Sequence, residues 1–274
     1  MPYDDCMPLR EIASAWLRLG IPALLVRITA VRGSAPRDAG TALLVAAGTQ
    51  AGTLGGGHLE WQALAHARRL LAQPDRPLPV EDTLSLGASL GQCCGGVVTL
   101  RYEALDAATL AAWPPETPRF HLQLHGAGHV GRALVAVLAP LPCRIDWIDI
   151  RDEAFSGFDP TPRVVPILTD TPQAEIDTAP PGALQLVMTH DHSLDLQLTE
   201  AILRRQRRSQ DVGWFGLIGS SAKRARFRQK LAARGFAEAE LDFMHCPVGL
   251  PGISGKEPGV IAIAIAAELL QRPT

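Results

Sequence analysis

Apolar residues in the first hundred positions switch between a helical and a strand period. Leu9, Ile12, Ala13, Trp16 and Leu17 fall on one helical face, and Gly20 is placed to end that helix. Continuous apolar runs at 23–28 and 42–46 predict buried strands on either side of the polar, tightly turned loop Arg32-Gly33-Ser34-Ala35-Pro36-Arg37. The glycine run Gly52-Thr53-Leu54-Gly55-Gly56-Gly57 leads into a stretch from His58 to Leu71 with helical spacing, and 97–101 alternates as a strand. After Trp113-Pro114-Pro115-Glu116-Thr117-Pro118 the pattern changes: strand-like runs at 120–124, 144–148, 164–168, 184–188 and 214–218 alternate with helical stretches up to 138, at 194–204 and at 222–234. The apolar run 260–267 reads as a buried closing helix. The expected fold class is α/β, a Rossmann-type parallel sheet preceded by a smaller mixed α/β domain. Its expected divisions are 1–112, a linker at 113–118, and 119–274.

Composition narrows the class. With 274 residues and 47% hydrophobic content there is enough apolar material for one large or two modest cores. The 26 basic residues against 28 acidic ones give no electrostatic basis for coating nucleic acid. Cys6, Cys93, Cys94, Cys143 and Cys246 show no disulfide-framework spacing and no secretory signal precedes them, so a reducing cytoplasm is expected. The run 260–267 is too short to span a bilayer, and no membrane association is expected.

The most specific chemistry lies in Gly91-Gln92-Cys93-Cys94-Gly95-Gly96, two adjacent thiols on a glycine-rich loop. Glycine lets a ligand approach the main chain, and a thiolate is a soft nucleophile and metal ligand. A vicinal disulfide or core packing of one thiol are the competing readings. The glycines at 52–57 ahead of a helix expose backbone N–H groups that suit an anion, or else form a tight strand-to-helix turn. In the second half a strand runs into His125-Gly126-Ala127-Gly128-His129-Val130-Gly131, then a helix, a second strand and Asp149. That is the order of a Rossmann unit, with Gly126, Gly128 and Gly131 as the phosphate turn and Asp149 as a candidate ribose acceptor. A nucleotide is one ligand such a turn accepts.

His190 and His192 flank Asp191 at a strand end and read as a polar loop shaping the cleft, with a metal site as the sharper alternative. Ser220 and Ser221 open a helix carrying Lys223, Arg224, Arg226, Arg228 and Lys230, so an N-cap is expected and phosphate contact is compatible with it. Arg204, Arg205, Arg207 and Arg208 read as a solvated face, and Cys246 beside Pro247 as structural.

Taken together, Gly33-Ser34-Ala35-Pro36-Arg37, 52–60, 91–96, 126–131, 189–192, 216–220 and 245–250 resemble the XdhC/CoxI family of xanthine dehydrogenase accessory proteins. The resemblance implies a non-catalytic maturation factor that binds molybdenum cofactor, supports its sulfuration and delivers it to the molybdenum-binding subunit of xanthine dehydrogenase. It further implies a cysteine desulfurase and a molybdenum cofactor donor protein as partners, along with self-association. The family's cysteine motif falls on Cys93 and Cys94, one of which would meet molybdenum. Gly55, Gly56, Gly57 or Gly126, Gly128, Gly131 would take the phosphate, with Gly95 flanking the thiols and Arg37 adding charge. The alternative is an NAD(P)-dependent oxidoreductase whose thiols act on substrate, with Asp149 on the cofactor ribose.

Overall fold

A computed structural model of the chain describes residues 7–73, 75, 77–87 and 95–272. The chain divides into two compact units, Met1–Glu116 and Thr117–Thr274.

The first unit contains the helices α1 (Leu9–Arg18), α2 (Gly57–Leu71) and α3 (Ala107–Ala112). Its strands are β1 (Ala23–Arg32), β2 (Ala42–Ala46), β3 (Gln50–Gly52), β4 (Val80–Ser85) and β5 (Val97–Ala104). The strands form an antiparallel sheet in the order β3-β2-β1-β5-β4. Alternate residues of β1 serve opposite faces, as the period of a strand requires. Leu24, Val26 and Ile28 pack with Leu59, Ala63 and Ala67 of α2, while Ala23 and Leu25 pack with Ile12, Ala13 and Trp16 of α1. Both faces are therefore covered, which is why β1 and β2 read as unbroken apolar runs. β4 was not anticipated. Its exposed Glu81, Thr83 and Ser85 alternate with half-buried Val80, Asp82 and Leu84, an edge-strand pattern with too few apolar residues to stand out.

The second unit is built from β6 (His121–His125), α4 (His129–Leu138), β7 (Arg144–Asp149), β8 (Val164–Leu168), α5 (Pro172–Thr178), β9 (Leu184–Val187) and α6 (His192–Ser209). It continues with β10 (Trp214–Leu217), α7 (Ser221–Ala232), α8 (Glu238–Leu241), β11 (Met244–His245) and α9 (Pro258–Leu270). All six strands are parallel, in the order β11-β10-β9-β6-β7-β8. The chain winds outward from β6 through β7 to β8, then returns to the other side of β6. This is the doubly wound Rossmann order, with its reversal between β6 and β9. Because such crossovers are right-handed, the two halves place their helices on opposite faces. α4 packs with α9, whereas α6, α7 and α8 enclose Leu198, Ile202, Phe215, Phe227 and Leu231. Among the described residues no helix is long and apolar enough to cross a membrane.

Candidate functional site

Strand direction alone brings three loops of the first unit to one end of its sheet. β1, β3 and β4 end there, and β2 and β5 begin there. Contacts tighten the convergence. A side chain on Gly55 would meet Pro36 Cβ at 2.6 Å and Arg37 Cγ at 3.3 Å; one on Gly96 would meet the Ser34 carbonyl at 2.3 Å. Gly96 N–H also donates to that carbonyl (3.1 Å), and Leu86 N–H donates to the Gly96 carbonyl (2.8 Å). The loop 33–37 is thus wedged between the 53–56 turn and the base of the β4–β5 hairpin. Cys93 and Cys94 belong to that hairpin's connection and lie outside the described residues; Gly95, next to them, is exposed. Arg32 and Arg37 are exposed at this end.

The glycine turn ahead of α2 is filled by an anion of the chain's own. One oxygen of Glu60 accepts from Thr53 Oγ1 (2.5 Å), Leu54 N–H (2.8 Å) and Gly56 N–H (3.1 Å), while Gly55 N–H is taken by Thr53 Oγ1 (3.0 Å). The expectation that Gly55 and Gly56 offer free backbone donors is corrected accordingly, leaving the start of α2 at Gly57 as the open part of the turn. Glu60 was missed as a site residue. Its signal was present, an acid in the first helical turn after glycines, where a carboxylate reaches back to the uncapped N–H groups.

In the second unit the three glycines have separate duties. Gly126 (φ +121°) abuts the chain just past β9, since a Cβ there would lie 2.4 Å from the Met188 carbonyl; a Cβ on Gly131 would lie 2.3 Å from the Gly126 carbonyl. Trp147 Nε1–H donates to that same carbonyl (3.1 Å). Gly128 caps α4 and a Cβ there would meet nothing within 4 Å, so this is where the turn faces open space. Asp149 sits where the sequence placed it, at the end of β7, but it is buried and engaged. Its oxygens accept from Ala127 N–H (2.6 Å), Arg151 N–H (3.0 Å), Arg151 Nε (2.9 Å) and Arg151 Nη2 (2.8 Å). Those four bonds use the capacity of a carboxylate. Burial opposes its charge, but the Arg151 and Ala127 donors outweigh it and hold the carboxyl below the usual carboxylate range. Asp149 therefore locks the glycine turn, and a ribose hydroxyl would have to displace one of these donors.

Between β6 and β9 runs a buried polar chain whose direction is forced. The Glu175 carbonyl only accepts, so Gln123 turns its amide N–H₂ to it (2.7 Å) and its oxygen to the Gln185 amide N–H₂ (2.8 Å). Gln185 oxygen then faces His125 Nε2 (3.1 Å), which must donate. Nδ1 is left as a bare acceptor, buried and without a partner among the described residues. Burial pushes the imidazole down to about 4, so it is neutral at pH 7. His125, Asp149, Thr189 and His190 line the small crevice at the reversal point.

At the end of β9, Asp191 caps α6 by accepting from Ser193 N–H (2.6 Å), which gives it a structural role. His190 and His192 are exposed. Among the described residues no cluster of three or more His, Cys, Asp or Glu side chains could hold a metal ion. Asp195, overlooked in the sequence, is fully buried; it accepts from Thr189 N–H (3.0 Å), Thr189 Oγ1 (2.7 Å) and Lys223 Nζ (2.5 Å). Ser220 caps α7 as expected, accepting from Lys223 N–H (3.3 Å). Arg204, Arg205, Arg207 and Arg208 each pair with a carboxylate, and Arg205 is buried rather than solvated. The buried Cys246 thiol is raised by burial, in keeping with a structural role.

Similarity to known proteins follows the same two units. The chain is 28% identical over 257 residues to the uncharacterized protein YqeB of Escherichia coli K12, an alignment that takes in 91% of this chain and 43% of that protein; the chain thus spans less than half the length of this curated relative. A crystal structure described as a xanthine dehydrogenase from Bacillus halodurans superposes with a TM-score of 0.75 at 20% identity, covering 97% of this chain and 95% of that one, and so shares the fold. Residues 16–80 match the XdhC and CoxI family and residues 122–269 match the XdhC Rossmann domain; Cys93 and Cys94 lie between the two segments. With more than half of its residues in the Rossmann match alone, the chain belongs to the XdhC family.

Proposed function

We propose that the protein is a maturation factor for a xanthine dehydrogenase-type molybdoenzyme: it takes molybdenum cofactor as cargo, supports its sulfuration and passes it to the apo-enzyme. The observation that carries this reading is the convergence of the 33–37 loop, the 53–56 turn and the Gly95–Gly96 flank of the cysteine hairpin at one sheet end. The cargo has a soft metal–dithiolene end and a phosphate end, so its holder needs a sulfur donor and a cationic or N–H-rich rim. Cys93 or Cys94 would supply the first. For the second, the residues fit in a particular way: Leu54 and Gly56 are committed to Glu60, so the phosphate falls to Arg37, Arg32 and the start of α2 at Gly57. Holding and handover call for affinity and exclusion of water, without a turnover step. A cysteine desulfurase, a cofactor donor protein and self-association in the cytoplasm belong to the same reading.

An NAD(P)-dependent oxidoreductase is the second reading, favoured by the strand order and the open face of Gly128. The filled carboxylate of Asp149 weighs against it. The deciding experiment loads wild type, Cys93→Ala, Cys94→Ala and Gly128→Ala with molybdenum cofactor and measures bound molybdenum and pterin. One cysteine variant is expected to lose at least roughly tenfold in retention, as removal of a soft ligand should. Equal loading of all four proteins would overturn the site.

A further inference from the structure

A cavity of about 570 Å³ opens at the carboxyl ends of β9 and β10, one strand away from the reversal point, and none of the roles assigned above uses it. Its floor is apolar, with Leu196, Ile218 and Phe227. One wall is α7, whose residues 223, 226, 227 and 230 line the cavity at helical i, i+3, i+4, i+7 spacing, so a single helix face is presented to it. The Lys223 charge is spent internally on Asp195 (2.5 Å) and on the Ile218 carbonyl (2.8 Å). Arg226 and Lys230 differ. Both are exposed at the cavity, and neither has a hydrogen bond or ion pair among the described residues. Other nearby arginines are matched with acids, Arg228 with Glu238 and Asp242, Arg207 with Glu240, Arg204 and Arg234 with Glu200; Arg224 has no ion pair among the described residues but does not line the cavity. The nearby acids are already engaged, Asp195 with Lys223 and Asp191 with the α6 N-terminus.

We infer that this cavity binds a phosphorylated heterocyclic small molecule of mononucleotide size, with its phosphate on Arg226 and Lys230 and its ring over Leu196, Ile218 and Phe227. The volume falls in the range of small-molecule sites, and charge-assisted bonds to a phosphate are the strongest contacts an unpaired Arg–Lys couple can make. The proposal stands independently of the cysteine site in the first unit.

Calorimetric titration of the full-length protein with AMP, GMP, adenosine and inorganic phosphate tests it, using wild type, the double variant Arg226→Ala/Lys230→Ala and, as a paired-arginine control, Arg228→Ala. The expected result is saturable binding of AMP or GMP. Adenosine and inorganic phosphate should each bind roughly tenfold more weakly or worse, because each lacks one of the two anchors, and the double variant should lose a similar factor while the control loses none. Which phosphomonoester binds identifies the ring. Binding unchanged in the double variant, inorganic phosphate as tight as the best organic ligand, or no binding by any of the four would each overturn it. Arg226 and Lys230 are solvent-exposed, so circular dichroism of the double variant should match wild type, and a failure here leaves cysteine-dependent cofactor loading untouched.

Discussion

Glu60, Asp149 and Asp195 share one device at the scale of single residues. Each carboxylate accepts backbone N–H from a turn between a strand and a helix, Glu60 from 54 and 56, Asp149 from 127 and Asp195 from 189, and Asp149 accepts also from Arg151 N–H just past its own strand. Glycine turns that read as anion sites in the sequence therefore hold internal anions, whereas Arg226 and Lys230 at the second unit's cavity have no such partner among the described residues. His125 carries a different signature. Its imidazole is neutral when buried, with a folded value near 4 against an ordinary 6.5. Between those values the unfolded chain binds the extra proton, so stability is fully present above about pH 6.5 and falls as pH drops towards 4, by about 3 kcal/mol for this group. His245 is depressed by burial in the same direction and would add to the slope. Melting curves from pH 4 to 7 for wild type and His125→Gln should isolate the His125 share. The variant's stability is expected to vary less with pH across this window, and parallel curves would remove the assignment.

At the scale of elements, the turn from β6 into α4 separates close-packed glycines from one that faces open space within six residues. Gly131→Ala places a methyl 2.3 Å from the Gly126 carbonyl and should cost roughly 3 kcal/mol or more, read as a lower denaturation midpoint. Gly128→Ala meets nothing within 4 Å at φ −76° and should change stability by under about 1 kcal/mol, because only the cap is altered. If both variants melted alike, the division of labour within the turn would be wrong. Element identity was legible wherever apolar period was strong, as in α1, β1, β2 and the β6–α4–β7 unit. It was not legible for β4, α5 and the two-residue β11. Short or edge elements owe their conformation to pairing with a neighbour, as β4 does with β5 and β11 with β10, and that pairing has no local signal.

For the whole molecule, the two units enclose separate cores, Leu24 to Tyr102 around α2 together with the α1 layer in the first, and Ile176 to Cys246 around α6 in the second. A fragment of residues 117–274 carries the complete six-stranded sheet and should fold alone, giving a single cooperative denaturant transition. A fragment that is aggregated or lacks a transition would show that the second unit depends on the first.

The sequence by itself determined the Rossmann order of strand, glycines, helix, strand and acid, the antecedent smaller domain, and the kind of side chain available for soft-metal and phosphate chemistry. These are properties of period and residue type, which are local. Only the tertiary structure decided which donors remain available. Asp149 reaches Ala127 across 22 positions, and Asp195 reaches Lys223 across 28, because the fold apposes them. The same folding leaves Arg226 and Lys230 without an acid over an apolar floor. Satisfaction of a charge or an N–H group is a property of who stands beside it in space, and no spacing along the chain records that.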